Sequence, residues 1–388
     1  MKSDNNKEYY HMSKKKYSIK KFINDVHLWL GLASGIILFL VCLSGTVLAF
    51  EHEIKDAFSA KFQIQKKNQK LDVDDLVSVL TENNQGVVSS VKIPADDLKP
   101  YSFRVKKDPK QRRGSTVLVN PYTAEIKKVE KSSADAFLST MFRLHRWLLL
   151  DTKIGRPIVG VATIIFFFLA ISGIVLWFPK KLKWKNIKQG LKIKTKAKWK
   201  RVNYDLHNTL GFYASIFLII MCITGLCWSF TSYRTGLGNL IGAKIFNRSA
   251  PKFNAKNLKE SKIITYTQAL SIANKTLNYE GDVSIGFPTK KNNYFSISKT
   301  NKNNWSPVTS DRLYLSLSGD ILEVQYFRDK PLNVQFASLI KPIHTGEIFG
   351  TFSKIIYFLA CLIATSLPVT GTIIWLNKLK KKKKKKRV

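Results

Sequence analysis

Six histidines stand in the chain, and five of them fall where a long apolar run begins or ends. His27 and His207 open such runs, in Asp25-Val-His27-Leu-Trp-Leu-Gly31 and Asp205-Leu-His207-Asn-Thr-Leu-Gly211. His145 and His344 precede two further runs, and His52 follows the first. His11 lies in a polar N-terminal tail, with no chemistry in its surroundings. Imidazole is the commonest metal ligand among side chains. Two imidazoles at one depth can hold a metal from opposite sides. A lone histidine at a membrane boundary has a blander use, as a polar anchor. The two uses part company only if the histidines fall in matched pairs.

The apolar runs set the frame for such pairing. Leu28–Phe50, Pro157–Phe178, Leu210–Phe230 and Phe352–Leu376 are each long enough to cross a bilayer, which takes about 20 residues. The first and third contain no charged residue, and the fourth carries only Lys354 near its start. The fold class is therefore predicted to be membrane α-helical, a bundle of four spans. The first span is too long for a signal-peptide core and is read as retained. A formal charge of +38, from 64 Lys+Arg against 26 Asp+Glu, invites a nucleic-acid reading. Its distribution excludes one. Residues 1–26 hold 7 basic and 3 acidic residues, residues 179–206 hold 11 and 1, and residues 377–388 hold 9 and 0. These are alternate flanks of the spans, so they share one side, which the positive-inside rule makes cytoplasmic. The Lys380–Arg387 tail reads as an anchor on anionic lipid.

The predicted layout follows. A cytoplasmic tail (1–26) leads to a first span (27–50), an outside domain (51–154) and a second span (155–178). A basic cytoplasmic loop (179–206) leads to a third span (207–230), a second outside domain (231–350), a fourth span (351–376) and a cytoplasmic tail (377–388).

The two halves read as copies. At a constant offset of 180, Asp25, His27, Gly31, Cys42 and Gly45 align with Asp205, His207, Gly211, Cys222 and Gly225. Ile171-Ser-Gly173-Ile-Val-Leu-Trp177 likewise resembles Val369-Thr-Gly371-Thr-Ile-Ile-Trp375. Each half has an even number of spans, so the copies share one orientation, a parallel tandem repeat. The outside segments repeat more weakly. Leu71–Gln85 and Thr267–Leu277 carry helical patterning. Val87–Ile93, Tyr101–Val105, Ser115–Asn120 and Ala124–Val129 read as strands in the first. Asn293–Lys299, Arg312–Leu317 and Ile321–Gln325 do so in the second. Each outside domain is thus a small α+β unit.

Small helix-strand units with an Asn-Pro-x-Thr or Ser-Gly-Asp hairpin look like PepSY domains. The surrounding spans resemble PepSY-associated transmembrane helix proteins. The resemblance rests on the Asp-x-His segments of His27 and His207, on Leu144-His145-Arg146, on His344-Thr-Gly346-Glu347, and on four Ser/Thr-Gly pairs. It covers roughly residues 20–380. It implies a bacterial inner membrane, iron uptake and, in some members, two b-type haems passing electrons to ferric siderophores in the periplasm.

On that expectation the histidines sort into two pairs. A parallel repeat brings one histidine per copy to one depth, so His27/His207 would ligate a cytoplasmic-side haem and His145/His344 a periplasmic-side one. Gly45 lies 18 residues past His27, about 27 Å along a helix. Gly45 and Gly225 should therefore sit at the level of His145 and His344, and Gly173 and Gly371 at the level of His27 and His207. Glycine would let a flat macrocycle approach the backbone. Gly31 and Gly211 could do likewise, although small residues at such spacing also serve plain helix packing. His52 has no counterpart, since Ser232 stands at the matching position, and is kept as a reserve ligand.

The four cysteines lie in spans, and there is no CxxCH motif, so a haem would be held non-covalently. No GxGxxG follows a strand, and no flavin-sized segment follows the fourth span. A ferric-chelate reductase built this way would draw electrons from a separate cytoplasmic donor or a quinol. The alternatives are a non-redox PepSY protein that inhibits a protease or senses a ligand, and a metal-uptake component that carries haem as cargo. Arg143, Arg146 and Arg156 flank His145 and suit haem propionates, an anionic chelate or lipid headgroups. Trp29, Trp147, Trp177, Trp228 and Trp375 are expected to anchor at the interface.

Overall fold

The computed structural model describes residues 17–59, 62–83, 86–108, 111, 114–129, 132–247, 251–253, 263–289 and 292–385. His11, the end of the helix expected to reach Gln85, and the last residues of the basic tail lie outside them. Among the described residues four helices are long and apolar enough to cross a membrane: Ile19–Leu48, Thr152–Trp177, Trp199–Ser229 and Glu347–Lys381.

The first helix, α1 (Ile19–Leu48), is capped by Ser18, whose hydroxyl accepts from the Lys21 amide. A short α2 (Glu51–Phe58) follows, then α3 (Val73–Glu82) and strands β1 (Val87–Ile93), β2 (Tyr101–Lys106), β3 (Ser115–Val119) and β4 (Ile126–Lys128). Helix α4 (Ser133–Trp147) opens on a Ser132/Asp135 capping box and ends at Leu148, which is left-handed (φ 56°). The chain turns at once into α5 (Thr152–Trp177). The turn is tight: a Cβ on Gly155 would lie 1.9 Å from the Trp147 carbonyl oxygen. The helix begins before Pro157, and only residues 148–151 separate it from α4.

The basic segment forms α6 (Trp184–Gly190) and α7 (Trp199–Asp205). A π-turn, Leu206–Leu210, joins α7 to α8 (Gly211–Ser229). The third crossing helix thus starts eight residues before His207, rather than at it. Then come α9 (Thr231–Ile241), α10 (Tyr266–Thr276), β5 (Gly281–Gly286), β6 (Phe295–Asn301), β7 (Asp311–Leu315) and β8 (Ile321–Gln325). Helix α11 (Leu332–Thr345) ends at left-handed Gly346, and α12 (Gly350–Lys385) closes the order.

The crossing helices form a ring. Helix α1 packs on α5 and α12, and α8 packs on the same two, so α1 and α8 stand diagonally across it. The helices α4 and α11 lie against α1 and α8. The sequence patterning gave no warning of either, nor of α2 and α9.

The two sheet units are not separate. All eight strands form one antiparallel sheet in the order β4-β3-β2-β1-β5-β6-β7-β8. Strand β1 joins β5 with Val91 opposite Ile285 and Ile93 opposite Val283. One sheet face is apolar and packs under α3 and α10, with Leu76, Leu80, Phe103, Ile285, Phe295 and Leu313 nearly or wholly buried. The N-termini of α3 and α10 clasp each other. Asp74 accepts from the Tyr266 and Thr267 amides at 2.9 and 2.8 Å, and the Thr267 hydroxyl accepts from the Val73 amide at 3.0 Å.

Candidate functional site

Four of the histidines meet as two pairs, one from crossing helices and one from the helices α4 and α11 beside them. His27 on α1 faces His207 in the π-turn, with ring centres 6.4 Å apart and planes at 87°. His145 on α4 faces His344 on α11, also at 6.4 Å, with planes at 54°. Single π-turns occur often where a helix must re-aim a side chain, and this one carries His207. His52 joins neither pair. Its side chain is 71% exposed and lies 3.8 Å from the Glu347 carboxylate.

Every ring is held by its Nδ1. That of His27 lies 2.8 Å from the Ser172 hydroxyl, and that of His207 lies 3.0 Å from the Thr370 hydroxyl. His344 reaches the Thr224 hydroxyl at 3.0 Å and the Met221 carbonyl at 3.1 Å, and His145 reaches the Val41 carbonyl at 2.8 Å. A carbonyl only accepts, so His145 and His344 must carry their proton on Nδ1. The hydroxyls settle the other two. Ser172 already donates to the Phe168 carbonyl at 2.7 Å and Thr370 to the Ser366 carbonyl at 3.0 Å, so each accepts from its histidine. All four rings are thereby fixed as Nδ1–H tautomers. Their Nε2 atoms carry lone pairs and have no hydrogen-bond partner among the described residues.

The glycines seat these rings. A Cβ built on Gly45 would lie 3.0 Å from Cε1 of His145, and one on Gly225 would lie 2.9 Å from Cε1 of His344. At the other level, a Cβ on Gly371 would lie 3.1 Å from Cε1 of His207, and one on Gly173 would lie 3.7 Å from that of His27. Each glycine admits an imidazole, where the sequence suggested room for a macrocycle. Each Ser/Thr-Gly pair lies beside one histidine, though at Ser44-Gly45 the bond goes to the Val41 carbonyl instead. The hydroxyl's orienting role was not anticipated.

Between α1 and α8 lies a cavity of about 520 Å³. His27 and His207 line it, with Gly31, Gly211, Gly173 and Gly371. Leu38, Leu169 and Leu218 wall it, and Lys20, Lys21, Lys180 and Lys378 also line it. These lysines went unnoticed in the sequence because basic flanks already had an explanation in topology. At the other level, Arg146 lies close enough to Arg156 for the two charges to repel, and the buried Nε of Arg156 has no hydrogen-bond partner among the described residues. Trp228 packs on His344, with ring centres 5.2 Å apart. Trp177 is buried and stacks on Phe212 at 3.7 Å, so it is a packing residue and not an interface anchor.

A family model described as the PepSY-associated TM region matches residues 25–378. The chain belongs to the PepSY-associated transmembrane family. No curated protein matches it.

A haem, the group that the resemblance implies, would make definite demands on these residues. Two imidazoles on opposite sides of one iron, bonded at about 2 Å each, put their ring centres roughly 6.5 Å apart. Both pairs stand at 6.4 Å. Among the described residues no three His, Cys, Asp or Glu converge, and each site presents a pair of imidazole donors. Such a donor set suits a metal whose other ligands come from a macrocycle. Metal-ligating histidines commonly donate their second N–H to a protein acceptor, as all four here do. The cavity volume falls within the roughly 300–1,000 Å³ of cofactor sites. Its lysines and the unpartnered Arg156 Nε suit carboxylate substituents. The residues fit the group.

Proposed function

We propose that this family member is an electron carrier of the bacterial inner membrane. It would hold two non-covalent b-type haems, one at His27/His207 and one at His145/His344, and pass electrons to a ferric siderophore or other Fe(III) chelate. The observation that carries this reading is the matched pair of sites: two histidines each, 6.4 Å between ring centres, every Nδ1 engaged. Haem, when bound, supplies reversible one-electron chemistry.

The protein's own residues do the rest. Ser172, Thr370, Thr224 and the Val41 and Met221 carbonyls hold the rings by Nδ1 and leave Nε2 as the nitrogen free to bind. The apolar wall of Leu38, Leu169 and Leu218 keeps water from the first site. Lys20, Lys21, Lys180 and Lys378 stand where they can neutralise carboxylates.

The basic segments support a reading in which both termini and the His27/His207 pair lie on the cytoplasmic side and the eight-stranded sheet in the periplasm. The recurring order of crossing helix, helix-plus-sheet unit, histidine helix and crossing helix supports a parallel tandem repeat. The reductant would be a separate cytoplasmic donor or a quinol, reached from the bilayer or its inner face. Fe(II) binds hard oxygen chelators more weakly than Fe(III), so reduction frees the metal.

The test is a single-turnover mixing experiment. Haem-loaded protein, reduced stoichiometrically with dithionite under argon, is mixed with ferric citrate and its reduced bands are followed. Re-oxidation matched by Fe(II) formation is expected. Reduced bands that persist for hours beside excess ferric chelate would remove the reductase reading.

A further inference from the structure

The junction of β1 and β5 builds a surface that neither half has alone. Residues directly opposite in antiparallel strands share a face. Following the pairing, one row crosses six strands as Thr116, Arg104, Ser90, Gly286, Ser296 and Tyr314. A second crosses five as Ser102, Lys92, Ser284, Ser298 and Arg312. These rows lie on the face opposite α3 and α10. Both line one concavity of about 730 Å³, which Asn247 and Pro251 also border. The Tyr294 hydroxyl donates to the Pro251 carbonyl at 3.0 Å and fixes that border.

The two rows bring hydroxyls and cations to a lining that also includes Phe287 and Asn292, with no Asp or Glu among its described residues. Lys92 is partly neutralised by Asp282 at 3.2 Å. Arg104 and Arg312, one from each half, have no ion pair among the described residues. A guanidinium fork matches a carboxylate or a vicinal pair of oxygens, and hydroxyls adapt as donor or acceptor. The volume suits a small molecule rather than a peptide.

The concavity is also joined to the second histidine pair by packed rings. Trp228 lies 5.2 Å from His344, and Phe246 lies 4.5 Å from Trp228. The next residue, Asn247, borders the concavity. Phe246 is held at φ 56°, a conformation rare for a bulky side chain.

We propose that this concavity binds an anionic, oxygen-rich small molecule of the multi-carboxylate or catecholate class, gripped by Arg104 from one half and Arg312 from the other. It deepens the reductase reading by naming the charge class of chelate and rests on that reading for its purpose, though not for the binding itself.

Titration calorimetry on the full chain in detergent at low salt tests it, with ferric citrate, metal-free citrate and a neutral ferric trihydroxamate as probes. Saturable one-to-one binding of ferric citrate is expected, at least tenfold tighter than that of the trihydroxamate. Arg104→Gln and Arg312→Gln should each weaken it about tenfold, with unchanged melting and haem content, while Lys153→Gln binds as wild type. Equal affinity for metal-free citrate would support recognition of the anion itself, and preference for ferric citrate would support recognition of the chelate. Equal binding of the neutral trihydroxamate, wild-type affinity in both arginine variants, or no saturable binding would each overturn the proposal. Binding by haem-free protein would leave this site standing even if the electron-carrier reading fell. A haem-loaded chain that binds no citrate would sink this proposal alone.

Discussion

At each histidine pair the hydrogen bond to Nδ1 decides which nitrogen is free. Thr370 makes the point, because its hydroxyl is already spent on the Ser366 carbonyl and can only accept from His207. Thr370→Val keeps the shape and removes the acceptor. The expected result is a 10- to 100-fold loss of haem affinity at that site, with melting behaviour retained, read by haem transfer to apomyoglobin. Gly371→Leu should do more, since its side chain meets the His207 ring. The histidines and the glycines were legible as types at a fixed offset. The bond between residues 163 positions apart was not, because it depends on how two helices are set side by side. The same limit hid Trp177, whose position at a span end suggests the interface while its ring stacks on Phe212.

At the scale of elements, two contacts hold the sheet unit and the helices in place. The clasp at the N-termini of α3 and α10 centres on Asp74. Burial works against its charge, but hydrogen bonds from Thr267 and Tyr266 outweigh that and hold its carboxyl below the ordinary carboxylate value. A depressed folded value means that the stabilisation is present above the unfolded value, about 3.9, and is lost as pH falls through the folded one. Asp74→Asn should therefore lower stability near neutral pH by about 0.5–1 kcal/mol and flatten the acid side of the stability profile. Chemical denaturation between pH 3 and 7 checks it. The second contact ties α2 to α12, where buried Lys354 meets both oxygens of Glu53 at 2.5 and 2.8 Å. Glu53→Ala strands that ammonium and should cost on the order of 2 kcal/mol, whereas Glu53→Leu with Lys354→Met together should recover most of it. A thermal-melt double-mutant cycle would measure the difference. Strands with clean period-two alternation could be read in advance. Strand β5, with a glycine at each end and its pairing partner about 190 residues away, could not.

The whole molecule joins a four-helix ring to one composite sheet. Four spans and their basic flanks were legible because a bilayer tolerates little else. The merging of two small sheets was not, because β1 offers the same alternation whether its edge is free or paired. The central claim is that each histidine pair holds one haem. The reduced-minus-oxidised optical spectrum of protein purified after expression with ample haem, together with haem quantification, tests it most directly. Two haems per chain with a sharp α band are expected, and one haem in His207→Ala. A colourless wild-type protein, or an unchanged haem count in His207→Ala, would contradict it.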